Sequence, residues 1–274
     1  MKFPTWFLCL AVGAASPAFA QSDDARLNQR VWVQLGAFHP EIKSYVQADR
    51  SGQQGTEISF ENDLALKRRE TLPTLLLGAR IADNWRAEFE YFKLRRTARQ
   101  NVISGTIVFD DTTYTGSADL ESEFDSTVYR LSGGYSFFRT PETEAGVSLG
   151  LHLTDFTIAL TGIGTINGGG TAVRTERKEQ KVPLPTLGVY ATHAFSSTWA
   201  AGGRVDFLSL KHGDYDGRLL NIQATLYYRF NPNLALGVGY RHDDYKLKVQ
   251  RSDDWEGKVE YRFSGPQLVL DAGF

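Results

Sequence analysis

From about residue 30 onward, apolar and polar side chains alternate with a period of two. In the segment near 127, Tyr129, Leu131, Gly133, Tyr135 and Phe137 share one face, and Arg130, Ser132, Gly134 and Ser136 the other. Near 145, Val147, Leu149, Leu151 and Leu153 alternate with Ser148, Gly150, His152 and Thr154. Near 218, Leu220, Ile222, Ala224, Leu226 and Tyr228 alternate with Asn221, Gln223, Thr225, Tyr227 and Arg229. Successive side chains of a strand point to opposite faces, so the pattern predicts strands. A soluble sandwich would alternate in the same way, and the spacing of the connections has to decide.

Four connections are short: Ala82-Asp83-Asn84, Arg139 to Thr143, Ser196-Ser197-Thr198 and Asn231-Pro232-Asn233. They carry the Asn, Asp, Ser and Pro that close tight turns. Longer polar stretches lie near 50–70, 98–125, 161–182, 211–217 and 250–257, and short and long alternate strictly. That is the organisation of an up-and-down transmembrane β-barrel, with short periplasmic turns and long extracellular loops. The expected fold is all-β and antiparallel, with ten strands near 30–40, 71–81, 85–96, 127–138, 145–158, 184–195, 199–210, 218–230, 234–247 and 258–274. Eight or twelve strands stay open, because 42–49 and 102–109 could form further hairpins.

Aromatic placement agrees. Trp85 and Trp199 directly follow short turns, and Phe137, Phe138, Phe195 and Phe230 directly precede them; with Phe274 they predict a girdle at the periplasmic interface. Tyr91, Phe156, Phe207, Tyr240 and Tyr261 are expected to form the outer ring. Mean hydropathy is low at −0.31, as it is for strands that alternate between lipid and lumen.

The N-terminus reads as a secretory signal peptide over residues 1–20, with the barrel domain in 21–274. Lys2 gives the basic start, Trp6 to Ala15 the apolar core, and Ala18-Phe19-Ala20 the cleavage pattern. The sole cysteine, Cys9, lies within it, so the mature chain offers no disulfide and no Cys-based metal site. A net charge of −2 without a basic stripe gives no reason to expect a nucleic-acid partner. No cofactor is implied.

At the C-terminus, Leu268, Leu270, Ala272 and Phe274 alternate with Gln267, Val269, Asp271 and Gly273. This resembles the last strand of bacterial outer-membrane β-barrel proteins, with Ala272 in place of their usual penultimate aromatic. As architecture, the resemblance covers essentially the whole mature chain. It implies recognition by the barrel-assembly machinery, a lipid bilayer and lipopolysaccharide as partners, a monomer, and both termini in the periplasm. Val259, Tyr261 and Phe263 have the opposite parity, which predicts a bulge at Ser264-Gly265-Pro266.

If the apolar face meets lipid, the lumen receives Arg80, Arg86, Glu88, Glu90, Arg130, His152, Arg204, Asp206, Arg229, Arg241, Glu260 and Arg262. Charges in so narrow a space must pair or stay hydrated, which predicts a network that largely closes the lumen or lines a narrow pore. Other chemistry is sparse. Ser148 and His152 share a face, but four residues along a strand span about 13 Å. His212 with Asp214 and Asp216, and His242 with Asp243 and Asp244, gather near hairpin ends without a defined ligand spacing. Gly162 to Gly170 lacks the helix and Lys-Ser/Thr of a phosphate loop. Arg174, Arg177, Lys178 and Lys181 form a basic cluster that could meet lipopolysaccharide phosphates.

Three classes of function therefore stay open. One is a structural or narrow-pore transport protein with a charged, largely plugged lumen. Another is an outer-membrane enzyme acting on lipid A, phospholipid or peptide at the extracellular rim. The third is a surface-interaction barrel using 98–125 and 161–182.

Overall fold

The computed structural model describes residues 27, 29–50, 56–100, 107–109, 112–114, 120–166, 172–252 and 255–274. The signal-peptide segment and Gly168 to Gly170 lie outside them. The strands are β1 (Val31–Phe38), β2 (Glu41–Arg50), β3 (Ile58–Ser59), β4 (Leu72–Ala82), β5 (Trp85–Gln100), β6 (Ile107–Phe109) and β7 (Thr112–Tyr114). They continue with β8 (Leu120–Arg139), β9 (Thr143–Ile166), β10 (Ala172–Ala194), β11 (Trp199–His212), β12 (Tyr215–Asn231), β13 (Leu234–Ser252) and β14 (Trp255–Gly273).

Ten of them form an antiparallel sheet in the order β1-β4-β5-β8-β9-β10-β11-β12-β13-β14, and β14 pairs back onto β1. The sheet is a closed ten-stranded barrel. β2 carries on the line of β1 past His39-Pro40 and pairs with β14 from Glu41↔Ser264 to Arg50↔Trp255. A proline supplies no ladder N–H, which suits it to this interruption. β3 adds to β2, and the hairpin β6–β7 pairs with β9. The segments 42–49 and 107–109 thus extend the long-loop end and add no strand to the closed circle.

One of the expected long loops is a tight turn between long strands. β11 and β12 are joined by Gly213-Asp214, with Gly213 at φ +55°, the left-handed conformation a two-residue hairpin needs. β13 and β14 pair as far as Ser252↔Trp255, and Asp253 and Asp254 lie outside the described residues. Polar segments such as 211–217 and 250–257 looked like loops because they are hydrophilic, yet strands that leave the membrane keep their ladder in water.

The sense of the alternation inverts along the strands. Near the short turns the outward positions are apolar: Leu131, Leu149, Leu187, Phe207, Leu226, Val238 and Leu268 are all exposed. Towards the long-loop end the apolar side chains point inward: Phe92, Phe124, Phe156, Val182, Leu219, Tyr245 and Phe263 are buried in one cluster. In β14 the change comes without a bulge, since the register with β13 runs unbroken from Leu234↔Ala272 to Gln250↔Glu256. The bulge expected at Ser264-Gly265-Pro266 is therefore absent. Alternation defines two faces, and the medium outside decides which is buried. Where lipid surrounds the barrel the apolar face turns out, and where water surrounds it the apolar face turns in.

Both mouths are covered. At the long-loop end the segment after β3 folds inward, so that Ile58, Phe60, Leu64 and Leu66 join the buried cluster, with Phe60 edge-on to Phe124 at 5.1 Å. Arg96 ties the segment down, donating to Glu61 Oε1 at 2.5 Å and to Ser44 Oγ at 2.5 Å. At the short-turn end the carbonyl of buried Leu27 accepts from Arg80 (3.3 Å) and Arg139 (3.0 Å). Gln29 donates to the Pro232 carbonyl across the mouth at 3.0 Å.

Candidate functional site

Between the two covers the lumen is filled by ions. Glu88 and Glu90 on β5, Arg130 on β8, Arg204 and Asp206 on β11, and Arg241 and Asp243 on β13 are inward positions of facing strands. Arg130 grips Asp206 side-on, Nε to Oδ2 at 2.9 Å and Nη2 to Oδ1 at 3.0 Å. Arg241 donates to Glu90 at 2.5 Å and to Asp243 at 2.7 Å. Arg204 also donates to Glu90, and Asn221 to Asp243. Arg86 donates to Glu88 at 2.7 Å while its guanidinium lies 3.7 Å from the centre of the Tyr190 ring. Arg130 reaches Glu88 at 3.5 Å, joining the two halves. Four arginines thus meet four carboxylates, and the cluster carries no net charge. Burial of so many ions is tolerable only because nearly every one has an opposite partner and hydrogen bonds.

A second pair lies nearer the short turns, where Glu144 accepts from Arg80 at 2.8 and 3.2 Å and from Ser136 Oγ at 2.5 Å. Below the network is a cavity of about 90 Å³ lined by Trp32, Gln34, Arg80, Arg86, Tyr190 and Tyr227. A smaller cavity of about 10 Å³ sits between Arg86, Glu88, Arg130 and Arg204, which is room for about one water molecule.

Among the expected lumen residues, Arg80, Arg86, Glu88, Glu90, Arg130, His152, Arg204, Asp206, Arg229 and Arg241 occupy inward positions. Glu260 and Arg262 do not. They are on the outer face, where Glu260 accepts from Lys246 at 2.9 Å and Arg262 donates to Asp244 at 2.9 Å. The inversion described above reverses them, and by the same cause Phe156 and Tyr261 leave the expected outer ring for the interior. Tyr91, Phe207 and Tyr240 do face outward. Trp85, Phe137, Phe195, Trp199, Phe230 and Phe274 are exposed beside the short turns, with Trp85 against Tyr135 and Trp199 against Tyr228, both at 5.1 Å.

Sequence reasoning missed Glu61, Glu144, Asn221 and Asp243 as network members. Asp243 was legible as the same-face neighbour of Arg241; Glu61, in an irregular segment, gave no periodic signal.

The remaining candidates are dispersed. His152 is fully buried, with Nδ1 3.5 Å from the Tyr245 hydroxyl and Nε2 3.9 Å from Asp206. Its strand geometry keeps it far from Ser148. Asp243 points inward while His242 and Asp244 point outward, His242 bonding Ser264 Oγ at 2.7 Å. Asp214 and Asp216 are exposed, and the His212 side chain lies outside the described residues. Arg177 is held by Glu179 (2.8 Å) and Glu123 (3.6 Å), and Lys181 by Asp155 (3.6 Å). Lys178 is exposed, and the side chain of Arg174 lies outside the described residues. Among the described residues, His, Asp and Glu form no group of three within metal-ligating reach.

No protein-family model matches the chain, and no curated protein does. Among solved structures it is similar to the outer membrane protease OmpT of Escherichia coli, at 10% identity and a TM-score of 0.58 over 89% of this chain and 97% of that one. The toluene transporter TodX of Pseudomonas putida matches at 12% identity and a TM-score of 0.34, over 92% and 93%. The attachment invasion locus protein Ail of Yersinia pestis matches at 8% and 0.27, over 87% and 99%. Of these three, OmpT alone shares the arrangement of the whole backbone, and at this identity the likeness concerns the fold. With a lipid-type apolar band, an ion-filled lumen and ten closed antiparallel strands, the chain has the fold of the small outer-membrane β-barrels.

Proposed function

We propose that this chain is an integral protein of the bacterial outer membrane whose barrel is a closed, non-conducting scaffold. Its short turns and both termini lie on the periplasmic side, and its long strands stand in the external medium. The neutral network that cross-links β5, β8, β11 and β13 carries this reading. An ion crossing the lumen would have to separate buried ion pairs at several kcal/mol each, then pass an apolar plug from Phe38 to Phe263. The cavity lined by Trp32 and Tyr190 leads only as far as Glu88 and Arg204. Outward apolar positions spanning roughly 25 Å above the aromatic girdle support residence in a bilayer.

The test is conductance of the refolded chain in a planar bilayer, beside Arg130→Ala with Arg241→Ala. The wild type is expected to be silent. Stable stepwise currents from the wild type would overturn the closed reading in favour of a narrow pore.

A further inference from the structure

Beneath the ion network, the short-turn half of the lumen holds the cavity of about 90 Å³ that Trp32, Gln34 and Tyr190 help to line. Two aromatic rings lie along its wall. Trp32 and Gly78 are directly opposed in the β1–β4 ladder, and a Cβ on Gly78 would lie 2.0 Å from the indole. Tyr190 is opposed to Gly146 in the same way, where a Cβ would meet its hydroxyl at 2.3 Å. Glycine within a strand marks a place where another group comes close. Here each ring crosses its neighbour's backbone instead of reaching across the lumen, and the hollow is kept.

The ions of the wall are already satisfied. Three guanidinium groups and three carboxylates border the cavity, so its lining carries no net charge. Arg80 is held by Glu144 at 2.8 Å, Arg86 by Glu88 at 2.7 Å and Arg204 by Glu90, and Asp271 accepts from Gln34 Nε2 at 2.6 Å. The neutral polar groups are not satisfied. Trp32 Nε1, Gln34 Oε1, the Thr192 hydroxyl and the Gln223 amide belong to lining residues and have no hydrogen-bond partner among the described residues. Enclosed indole and amide groups ordinarily find one. The four come from β1, β10 and β12, and β1 and β10 stand five strands apart in a circle of ten, on opposite walls. A molecule lying between them can donate and accept on both sides at once.

We infer that this cavity binds an uncharged sugar of monosaccharide size, taken from the compartment at the short-turn end. A charged ligand would have to break an ion pair of the wall or be buried without a partner. An apolar ligand would shut the four neutral groups away from water unpaired. A sugar ring carries hydroxyls on its rim for those groups and C–H faces for the indole. The volume is room for about six to nine water molecules, which suits one ring and not a chain. Glu88 and Arg204 close the inner end, so the sugar enters and leaves past Leu27 and Gln29. A site closed at its inner end is compatible with a barrel that passes no ions.

The experiment titrates the full chain, folded in a sugar-free phosphocholine detergent, with glucose, protonated glucosamine and glucuronate by isothermal calorimetry. Folding of every variant is read first from heat-modifiable gel migration. Glucose should bind saturably with one site per chain, and the two charged sugars at least about ten-fold more weakly, since neither wall offers an unpaired ion. Trp32→Phe keeps a ring and removes only the N–H, and Gln223→Leu keeps the bulk and removes the amide. Each should weaken glucose about three- to ten-fold. Tyr240→Phe, which removes a hydroxyl from the outer surface, should leave binding unchanged. Absence of saturable glucose binding by the folded wild type overturns the proposal. Equal binding of all three sugars refutes the assignment to uncharged ligands. Binding that neither Trp32→Phe nor Gln223→Leu weakens would lie outside this cavity and refute the site.

Discussion

Arg241 and Glu90, 151 positions apart in the chain, meet at 2.5 Å in the middle of the lumen, with the guanidinium 4.5 Å from the centre of the Phe92 ring. The contact ties β13 to β5 across the barrel and lies where the ionic layer gives way to the apolar plug. Removing Arg241 leaves buried Asp243 without a cation and Glu90 with Arg204 alone.

Arg241→Met is therefore expected to cost about 3–5 kcal/mol. Adding Asp243→Asn and Glu90→Gln should return part of that loss by removing the unpaired charge on Asp243 and the excess charge on Glu90. Urea unfolding of the vesicle-inserted protein, followed by tryptophan fluorescence, measures both. An additive triple variant would mean that the three residues act independently.

Gly188 leaves the space in which part of this network sits. A Cβ there would lie 2.3 Å from Asp206 Oδ1 and 2.4 Å from Ser148 Oγ, whereas one on Gly133 would meet nothing within 4 Å. Gly188→Ala should destabilise by about 1–3 kcal/mol, and Gly133→Ala should not. The same unfolding experiment compares them, and equal effects would contradict the geometry.

Leu131 lies in the apolar band and Phe124 in the plug on the same strand, on opposite faces. Leu131→Arg should cost about 2–4 kcal/mol in lipid. Phe124→Ala should cost about 3–5 kcal/mol by leaving a cavity against Phe60, Phe156 and Tyr261. In detergent the arginine penalty should shrink as the micelle reshapes around it, while the cavity penalty should persist. Loss of the difference between the two media would argue against a lipid-facing Leu131.

The orientation is open to direct reading, because the only native cysteine is Cys9. A membrane-impermeant maleimide should label Asp214→Cys on intact cells and leave Ser197→Cys unlabelled until the outer membrane is permeabilised. The reverse pattern would invert the proposed topology.

The strands and the short turns were legible because both signals are local: a period of two, and turn residues at its ends. The ionic lumen was legible only as far as one sign convention held. Arg86, Glu88, Arg130 and Asp206 alternate with outward-facing Trp85, Phe89, Leu131 and Phe207, so their parity placed them inside. Glu260 and Arg262 lie where water replaces lipid outside the barrel, and there the same parity means the reverse. Tyr261 and Phe263 carried the clue as a change of phase, which was read as a bulge in the backbone. Glu61 reaches its arginine only through the closed tertiary structure, and no spacing announces it; Glu144 shares the inward parity of Ser148 and His152 but lies beside the short turn, just outside the expected strand.

The closure itself imposes an order in time. The amides of Arg30 and Val31 both donate to the Phe274 carbonyl, and β1 pairs with β14 from Trp32↔Gly273 to Phe38↔Gln267. The seam joins the first and last strands of the barrel, so the circle cannot shut before β14 has been made. Until β14 arrives, two strand edges stay unpaired, and such edges invite pairing with other chains. Self-closure therefore competes with aggregation, and the pairing of β14 with β1 is the step that ends the exposure.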